Sequence, residues 1–140
     1  MANQASCRRC GFCKALRQDQ ALRRAATEAA DDDVEIHVNS GWRSPEYQDQ
    51  LLREAVAEHG SEEEAARWVA TAETSPHVSG DAVDVGPSEA TAWLSEHGDA
   101  HGLCQIYGNE PWHYELRPEA IDHGCPPMYA DPTEDPRMQR

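Results

Sequence analysis

The sequence predicts one α+β domain in which helices surround a small, mainly antiparallel sheet. Three observations predict this class: apolar residues recur at helical spacing in four segments, apolar and polar residues alternate in several short segments, and Gly, Pro, Ser or Asn separate these segments. At 140 residues the chain is long enough to bury one core. The pattern contains neither an internal repeat nor a second domain, so the segments are expected to share one core.

The first half of the chain predicts two helices and one strand. Residues 14–30 carry apolar positions at helical spacing, and three consecutive Asp residues end this helix because their charges oppose its dipole. Residues 34–38 alternate as a half-buried strand does. Ser44 and Pro45 open the second helix as N-cap and first helical residue. The side chains of this helix that are expected to face inward are Tyr47, Leu51, Leu52 and Ala55.

The second half predicts two more helices and three strands. Ser61 and Glu64 form a capping box that opens a helix expected to reach Ala72. Residues 75–86 are typical of a loop that runs into a strand, and residues 88–97 of an amphipathic helix. The remaining strands, which are expected to pair as a hairpin, are residues 103–107 and 112–116.

Composition divides the chain into three parts. Residues 1–13 show no periodicity and are interpreted as a cysteine-containing tail. Residues 14–117 hold all the predicted elements and form the domain. Residues 118–140 are rich in Pro, Asp and Gly and are expected to wrap its surface. The domain part is therefore where the chemistry is expected.

The charge balance excludes some partners. The chain has 26 acidic and 12 basic residues, a formal net charge of −14, which repels phosphate backbones and excludes nucleic acid as a natural partner. No apolar run approaches the ~20 residues that span a bilayer, and no export signal is present. The chain is therefore expected either in the cytoplasm or outside it after loss of a signal.

The five cysteines leave two alternatives open. Cys104 and Cys125 are a candidate disulfide that would fix the C-terminal tail to the core, although a sequence does not give connectivity. Cys7, Cys10 and Cys13 form a C-x2-C-x2-C run without a fourth metal ligand nearby. A mobile, partly oxidised terminus is the preferred interpretation of this run, and a metal site is the alternative.

Two of the seven histidines lie in segments that carry nearby acids. His59, His97, His101 and His123 each precede a Gly, a pattern typical of helix C-termini, and His37 lies on the polar side of a predicted strand. His77 and His113 remain. With Asp84 they offer the three ligands that a catalytic zinc site needs, and the fourth position stays open for water.

Acidic and basic groups beside these ligands suggest a hydrolase. Glu110 precedes His113 by three residues on an extended segment, so it is expected to face the water as general base. Arg43 follows a predicted strand and either binds a substrate carboxylate or oxyanion, or stacks on Trp42 at the surface. Ser75 and Tyr107 either line the pocket or serve as a capping residue and a core residue. The sequence contains neither a G-x-S-x-G elbow nor a phosphate-binding loop, either of which would favour another chemistry.

Three motifs stand out: residues 75–84 match S-x-H-x-x-G-x-A-x-D, residues 110–113 are E-P-W-H, and residues 40–44 are S-G-W-R-S. They resemble the motifs of the D-alanyl-D-alanine carboxypeptidase family of zinc peptidases, in which the third usually reads S-G-Y-R-S. The fold of that family is shared with the hedgehog signalling domain. The resemblance spans about residues 15–117, and the family includes the vancomycin-resistance enzymes. It implies a hedgehog/DD-peptidase-like fold with one zinc ion.

The resemblance also assigns roles to residues of this sequence. His77, Asp84 and His113 match the zinc ligands, Glu110 the catalytic base, and Arg43 the arginine that stabilises substrate and transition state. Ser75 and Gln48 match positions that help hold the substrate. Apart from the resemblance, Tyr107 and Trp112 are further candidates for substrate contact. The implied reaction is hydrolysis at D-alanine in peptidoglycan stem peptides, outside the cytoplasmic membrane. The chain is separately expected to be a monomer.

Departures from the family pattern keep other functions open. The segment between Trp93 and Glu110 is short for the resistance enzymes, Asp81 adds an anion beside the site, and the cysteines are not part of the motif. The alternatives are an L-alanyl-D-glutamate endopeptidase, a non-catalytic zinc module that binds the cell wall, and a redox or regulatory factor built on the Cys7–Cys13 run. Retention of Glu110 and Arg43 favours an enzyme.

Overall fold

The computed structural model of the protein describes residues 11–139. Helices and strands alternate irregularly along this part of the chain, and three short 3₁₀ turns lie among them at Gly98–His101, Pro132–Glu134 and Pro136–Met138. The helices and strands, in chain order, are α1 (Gly11–Asp31), β1 (His37–Ser40), α2 (Pro45–His59), α3 (Glu62–Ala65), α4 (Pro76–Ser79), β2 (Ala82–Gly86), α5 (Ser88–His97), β3 (Leu103–Gln105), β4 (His113–Leu116) and α6 (Ala120–His123).

The four strands form one sheet in the order β1-β2-β4-β3, and every neighbouring pair is antiparallel. The predicted α+β class with a small antiparallel sheet is therefore confirmed. The predicted hairpin between the last two strands is also present, with Cys104 opposite Glu115. The two central strands, β2 and β4, place Asp84 directly opposite His113.

The core lies between one face of the sheet and helices α1 and α5. Side chains alternate along a strand, so Val83 and Val85 of β2 point into this core while Asp84 points to the other face of the sheet. Trp93 of α5 closes the core and donates its indole N–H to Asp32 at 2.8 Å. Other buried members of the core are Ala21, Leu22, Ala25, Ala29, Leu94, Leu103 and Tyr114.

Two element boundaries differ from the predicted ones. Helix α1 begins at Gly11, three residues before its predicted start, so residues 11–13 belong to it rather than to a tail. Strand β1 runs from His37 to Ser40 instead of over residues 34–38. Val38 is 54% exposed, and among the described residues β1 pairs with β2 alone, at the edge of the sheet. The apolar residues before it pack on the core without joining the sheet.

The region of α2 and α3 departs most from prediction. Tyr47 is 48% exposed, whereas the neighbouring Gln48 is buried at 1% exposure. The N-cap half of the predicted capping box forms, since the Ser61 hydroxyl accepts the Glu64 amide at 3.2 Å, but the helix ends at Ala65 after one turn. Trp68 is then 41% exposed and stacks on the His59 ring with centroids 6.2 Å apart. Periodicity did not show that this region lines a cleft instead of packing on the core.

Residues 125–139, here called the C-terminal arm, lie against the sheet's edge and the loop that follows β3. The candidate disulfide between Cys104 and Cys125 is present. The Tyr129 amide donates to the Ile106 carbonyl at 2.9 Å, and the Gly108 amide donates back to the Tyr129 carbonyl at 2.7 Å. The disulfide to the buried Cys104 and these backbone hydrogen bonds therefore hold the arm in place.

The N-terminal cysteines lie mostly outside the described residues. Cys7 and Cys10 fall there, so the interpretation of the C-x2-C-x2-C run stays a prediction. Cys13 lies in α1 and is disulfide-bonded. Over the described part of the chain, no helix has both the length and the apolar character needed to cross a membrane.

Candidate metal centre

His77 is held by local structure and by one backbone carbonyl. Ser75 caps the short helix α4, and its hydroxyl accepts the His77 amide at 3.2 Å. Gly80 ends the helix in the left-handed region at φ 89°, a conformation that favours glycine, and turns the chain into β2. The His77 Nδ1 lies 2.9 Å from the Gly41 carbonyl oxygen. Because a carbonyl only accepts, Nδ1 carries the proton and Nε2 is left as a ligand atom.

Asp84 and His113 reach the same point from the sheet. They are cross-strand neighbours on β2 and β4, which brings side chains on one face close together. The Asp84 Oδ1 lies 3.1 Å from the His77 Nε2 and 3.4 Å from the His113 Nδ1. All three residues offer one ligand atom within 4.8 Å of the others. The two imidazole rings meet edge to face, with centroids 5.2 Å apart.

These three residues fit a zinc ion by the chemistry of their donor atoms. Two imidazole nitrogens and one carboxylate oxygen are a ligand set that zinc takes in catalytic sites, where a fourth position is kept for water or substrate. Each imidazole uses its other nitrogen for a hydrogen bond that fixes its tautomer, as ligand histidines usually do. Within the described residues this is the one cluster of three or more such side chains that converges in this way.

The electrostatics of the cluster favour a cation. Burial by itself would raise the pKa of Asp84, yet its contacts with His113 and His77 lower that pKa well below its usual range. Burial would lower the pKa of His113, but the carboxylates of Asp84 and Glu115 raise it to about 9. An environment that draws a proton onto a buried imidazole also draws a metal cation, which competes for the same lone pair.

Arg43 approaches Asp84 from the side opposite the histidines. Its Nη2 donates to the Asp84 Oδ2 at 3.0 Å, its Nη1 to the Gln48 Oε1 at 3.1 Å, and its Nε to the Ser40 hydroxyl at 3.0 Å. Gln48 is in turn fixed by donating to the Ala70 carbonyl at 2.8 Å. Arg43 therefore orients Asp84 so that the other carboxylate oxygen faces the histidines, a role that the sequence did not reveal.

Glu110 lies in the same cleft as the cluster. It is 7% exposed, and the turn that holds it is closed by the His113 amide donating to the Glu110 carbonyl at 3.1 Å. Burial, and to a smaller extent the Asp84 charge, raise the pKa of Glu110, while His113 and Arg43 lower it, and the net pKa is about 7. A carboxylate whose pKa lies near neutrality suits a general base. A cation bound beside it would lower this pKa.

The cleft has a volume of about 500 Å³ and is lined by every residue that the sequence suggested as a metal ligand, a base or a substrate contact. Trp112 is 37% exposed at its wall. Ser75 is buried and serves as a helix cap. The Tyr107 hydroxyl donates to Asp135 at 2.6 Å, and the Tyr107 ring lies 5.1 Å from that of His113. Both alternatives left open for Ser75 and Tyr107 thus apply together, because each residue is structural and also lines the cleft.

Two residues of the site were missed by sequence reasoning. The Glu115 carboxylate lies 2.9 Å from the His113 Nε2, and Arg137 of the C-terminal arm donates to both Glu115 oxygens at 2.9 and 3.1 Å. Glu115 could have been found, because residues two apart on a strand share a face. Arg137 lies in a segment without periodicity, and no local signal pointed to it.

Comparisons with known proteins agree with this geometry. The sequence model of the VanY family, described as D-alanyl-D-alanine carboxypeptidase, matches residues 14–119. A D-alanyl-D-alanine carboxypeptidase of Enterococcus faecalis (strain ATCC 700802 / V583) is 33% identical over 108 residues, covering 59% of this chain and 40% of the relative. The chain therefore spans less than half the length of that relative.

Two solved structures share the fold over most of this chain. One is a mutant of the vancomycin resistance D,D-pentapeptidase VanY from a VanB-type cassette in complex with Zn(II), with 30% identity, 71% of this chain and 70% of that chain covered, and a TM-score of 0.67. The other is VanYB in complex with D-alanine-D-alanine, with 29% identity, coverages of 77% and 72%, and a TM-score of 0.71. The match of sequence, fold and motif order leads to one conclusion: this chain belongs to the VanY family of D-alanyl-D-alanine carboxypeptidases.

Proposed function

We propose that this chain is a zinc-dependent peptidase that removes D-alanine from the C-terminus of peptidoglycan stem peptides. The observation that carries the proposal is the convergence of His77, Asp84 and His113 within 4.8 Å of one another, in one cleft with the buried carboxylate of Glu110. Membership of the VanY family supports it, as do the Zn(II) and D-alanine-D-alanine complexes of related structures.

The zinc ion would be held by His77 Nε2, Asp84 Oδ1 and His113 Nδ1. Bound there, zinc would supply a Lewis acid that acidifies water and polarises the scissile carbonyl. The chain's own groups prepare its place: the Gly41 carbonyl and Glu115 fix the tautomers of the two imidazoles, and Arg43 turns Asp84 toward them. Three ligands are thus oriented before the ion arrives.

Proton transfer falls to Glu110. As the general base it takes a proton from the attacking water and then gives that proton to the amine of the leaving D-alanine. Its burial keeps the carboxylate poorly solvated and raises its pKa above the ordinary value, which makes it a stronger proton acceptor. The loss of such a positioned base typically costs about 10²–10⁴-fold in rate.

Substrate binding is proposed for Arg43 together with its neighbours. Arg43 carries five N–H donors, and its three nitrogens each donate one of them within the protein. The remaining donors are proposed to bind the terminal carboxylate of the substrate. Gln48, Ser75, Tyr107 and Trp112 line the same cleft. A substrate of this kind lies outside the cytoplasmic membrane, where we propose that the protein acts, as a monomer.

The experiment that tests this function combines metal analysis with a peptide assay. The purified chain should contain one zinc ion and release D-alanine from a muramyl pentapeptide. A matched tetrapeptide that lacks the terminal D-alanine should yield none. Zinc without release from the pentapeptide would refute the carboxypeptidase and favour an endopeptidase or a binding module. Absence of zinc after incubation with the ion would refute the metal centre itself.

A further inference from the structure

The C-terminal arm reaches the metal centre through a chain of hydrogen bonds that begins at the partly exposed Arg137 and ends at the buried His113. Arg137 contacts Glu115 with Nη1 and Nη2, and Glu115 contacts the His113 Nε2 at 2.9 Å. Glu115 is fully buried and the His113 side chain is 5% exposed. The arm therefore touches the site through a side chain that contacts one of the three proposed ligands.

A second carboxylate fixes the arginine. Asp135, which is fully buried, accepts from Arg137 Nη2 at 2.6 Å and from Arg137 Nε at 3.0 Å. It also accepts the Tyr107 hydroxyl at 2.6 Å. The planar guanidinium thus bridges two carboxylates, a geometry that the single ammonium of lysine cannot reproduce. The Tyr107 ring packs against His113, so the network closes back on the same imidazole.

The arm lies beyond the part of the chain that matches the family. The match ends at residue 119, whereas Asp135 and Arg137 follow it by more than a dozen residues. Arg117, within the matched part, supplies one further contact to Glu115 at 3.2 Å. The disulfide at Cys125 and the backbone ladder at Tyr129 bring the arm to this position.

We infer that Arg137 and Asp135 are positioning residues, through which the C-terminal arm holds Glu115 against His113 and so determines how tightly the centre binds zinc. This inference rests on the proposed function. Buried carboxylates that orient ligand histidines usually change metal affinity by about 10–100-fold when they are disturbed. Arg137 contacts both oxygens of Glu115, whereas Arg117 contacts one of them. Without Arg137 the carboxylate can therefore turn away from the imidazole.

The test measures zinc affinity in the full chain by competition with a chromophoric chelator at low temperature. Arg137→Gln should raise the zinc dissociation constant about 10–100-fold, and Arg137→Lys should give a smaller increase because lysine keeps the charge and loses the bridging geometry. Cobalt substitution provides a second readout, since the visible spectrum of bound cobalt should change in Arg137→Gln. Arg24→Gln, at an exposed position of α1, is the matched control and should bind zinc as the wild type does.

The outcomes separate this inference from the proposed function. A wild-type chain that binds no zinc refutes the function. Wild-type zinc affinity in a folded Arg137→Gln variant overturns the inference, as does a variant that unfolds at lower temperature while its zinc affinity and cobalt spectrum stay unchanged, because Arg137 would then be purely structural. If Arg137→Gln does not fold, Arg137→Lys decides: a folded lysine variant with wild-type affinity overturns the inference.

Discussion

The two histidines of the candidate metal centre are held in different ways. His77 is oriented by a helix cap, a glycine turn and the neutral carbonyl of Gly41, all backbone features or short polar contacts. His113 is oriented by the buried Glu115, whose charge is balanced by Arg137 and Arg117. The contacts of His77 form a neutral anchor, which leaves no buried charge to compensate. Glu115 forms a charged anchor for His113, and this anchor depends on every partner that compensates its charge.

The largest expected effect is on turnover, in a variant that disturbs neither set of contacts around the histidines. Glu110→Gln removes the proposed base and leaves the ligands and their hydrogen bonds in place. Turnover of the pentapeptide should fall about 10²–10⁴-fold while zinc content stays at one ion. Steady-state kinetics and metal analysis of the same preparation measure both quantities. Glu63→Gln, at an exposed position of α3, is the control; zinc loss in Glu110→Gln would make this residue a ligand.

The charged anchor should be the more costly one to break. Glu115→Gln replaces the buried carboxylate by a neutral amide, while Arg137 is 37% exposed and keeps its partner Asp135. The lost charged hydrogen bonds should lower the free energy of unfolding by about 1.5 to 3 kcal/mol. Urea unfolding of the chelator-treated protein measures this change. Glu119→Gln, at an exposed position beyond β4, should change stability little. A loss below that of a single neutral hydrogen bond would show that the two anchors are energetically alike.

The pH dependence of stability isolates the carboxylate that lies between the anchors. Burial raises the pKa of Glu110 from 4.5 to about 7. Between pH 4.5 and about pH 7, Glu110 of the folded chain therefore keeps a proton that the unfolded chain releases. The contribution of Glu110 to stability therefore weakens as the pH rises through this window, and above pH 7 the full penalty, about 3 kcal/mol, remains.

Glu110→Gln should consequently be more stable than the wild type at pH 8, and this advantage should vanish near pH 4. Urea unfolding of both chelator-treated proteins at several pH values measures the difference, in which the titration of groups remote from Glu110 cancels. A difference that does not change with pH would contradict the buried position of this carboxylate.

The smallest effect is expected at the neutral anchor. Ser75→Ala removes the hydroxyl that caps α4, and loss of an N-cap costs about 1 kcal/mol. Thermal or urea unfolding measures it, with Ser44→Ala, the cap of α2, as the matched cap elsewhere. Because the Gly41 carbonyl still holds His77, zinc affinity should fall less in Ser75→Ala than in Glu115→Gln. The reverse order would overturn the comparison between the anchors.

The predictability of the elements follows the same division. The caps at Ser44 and Ser61 form as predicted, since a cap is a hydrogen bond between residues two or three apart. The helix predicted from Ser61 to Ala72 ends after one turn, and Tyr47 points outward. Both errors lie beside the cleft, where apolar side chains border an open space and periodicity no longer reports the direction of the core.

The sequence alone determined the chemistry of this protein: two imidazoles, an aspartate and a glutamate in motif segments whose local turns can be derived from capping and glycine rules. Only the tertiary structure decided how they work together. Strand register places Asp84 opposite His113. Arg43 binds Asp84, which lies 41 residues away in the sequence, and Arg137 binds Glu115, which lies 22 residues away. The physical reason is that local hydrogen bonds leave a trace in residue spacing, whereas a contact between distant segments depends on how the whole chain packs.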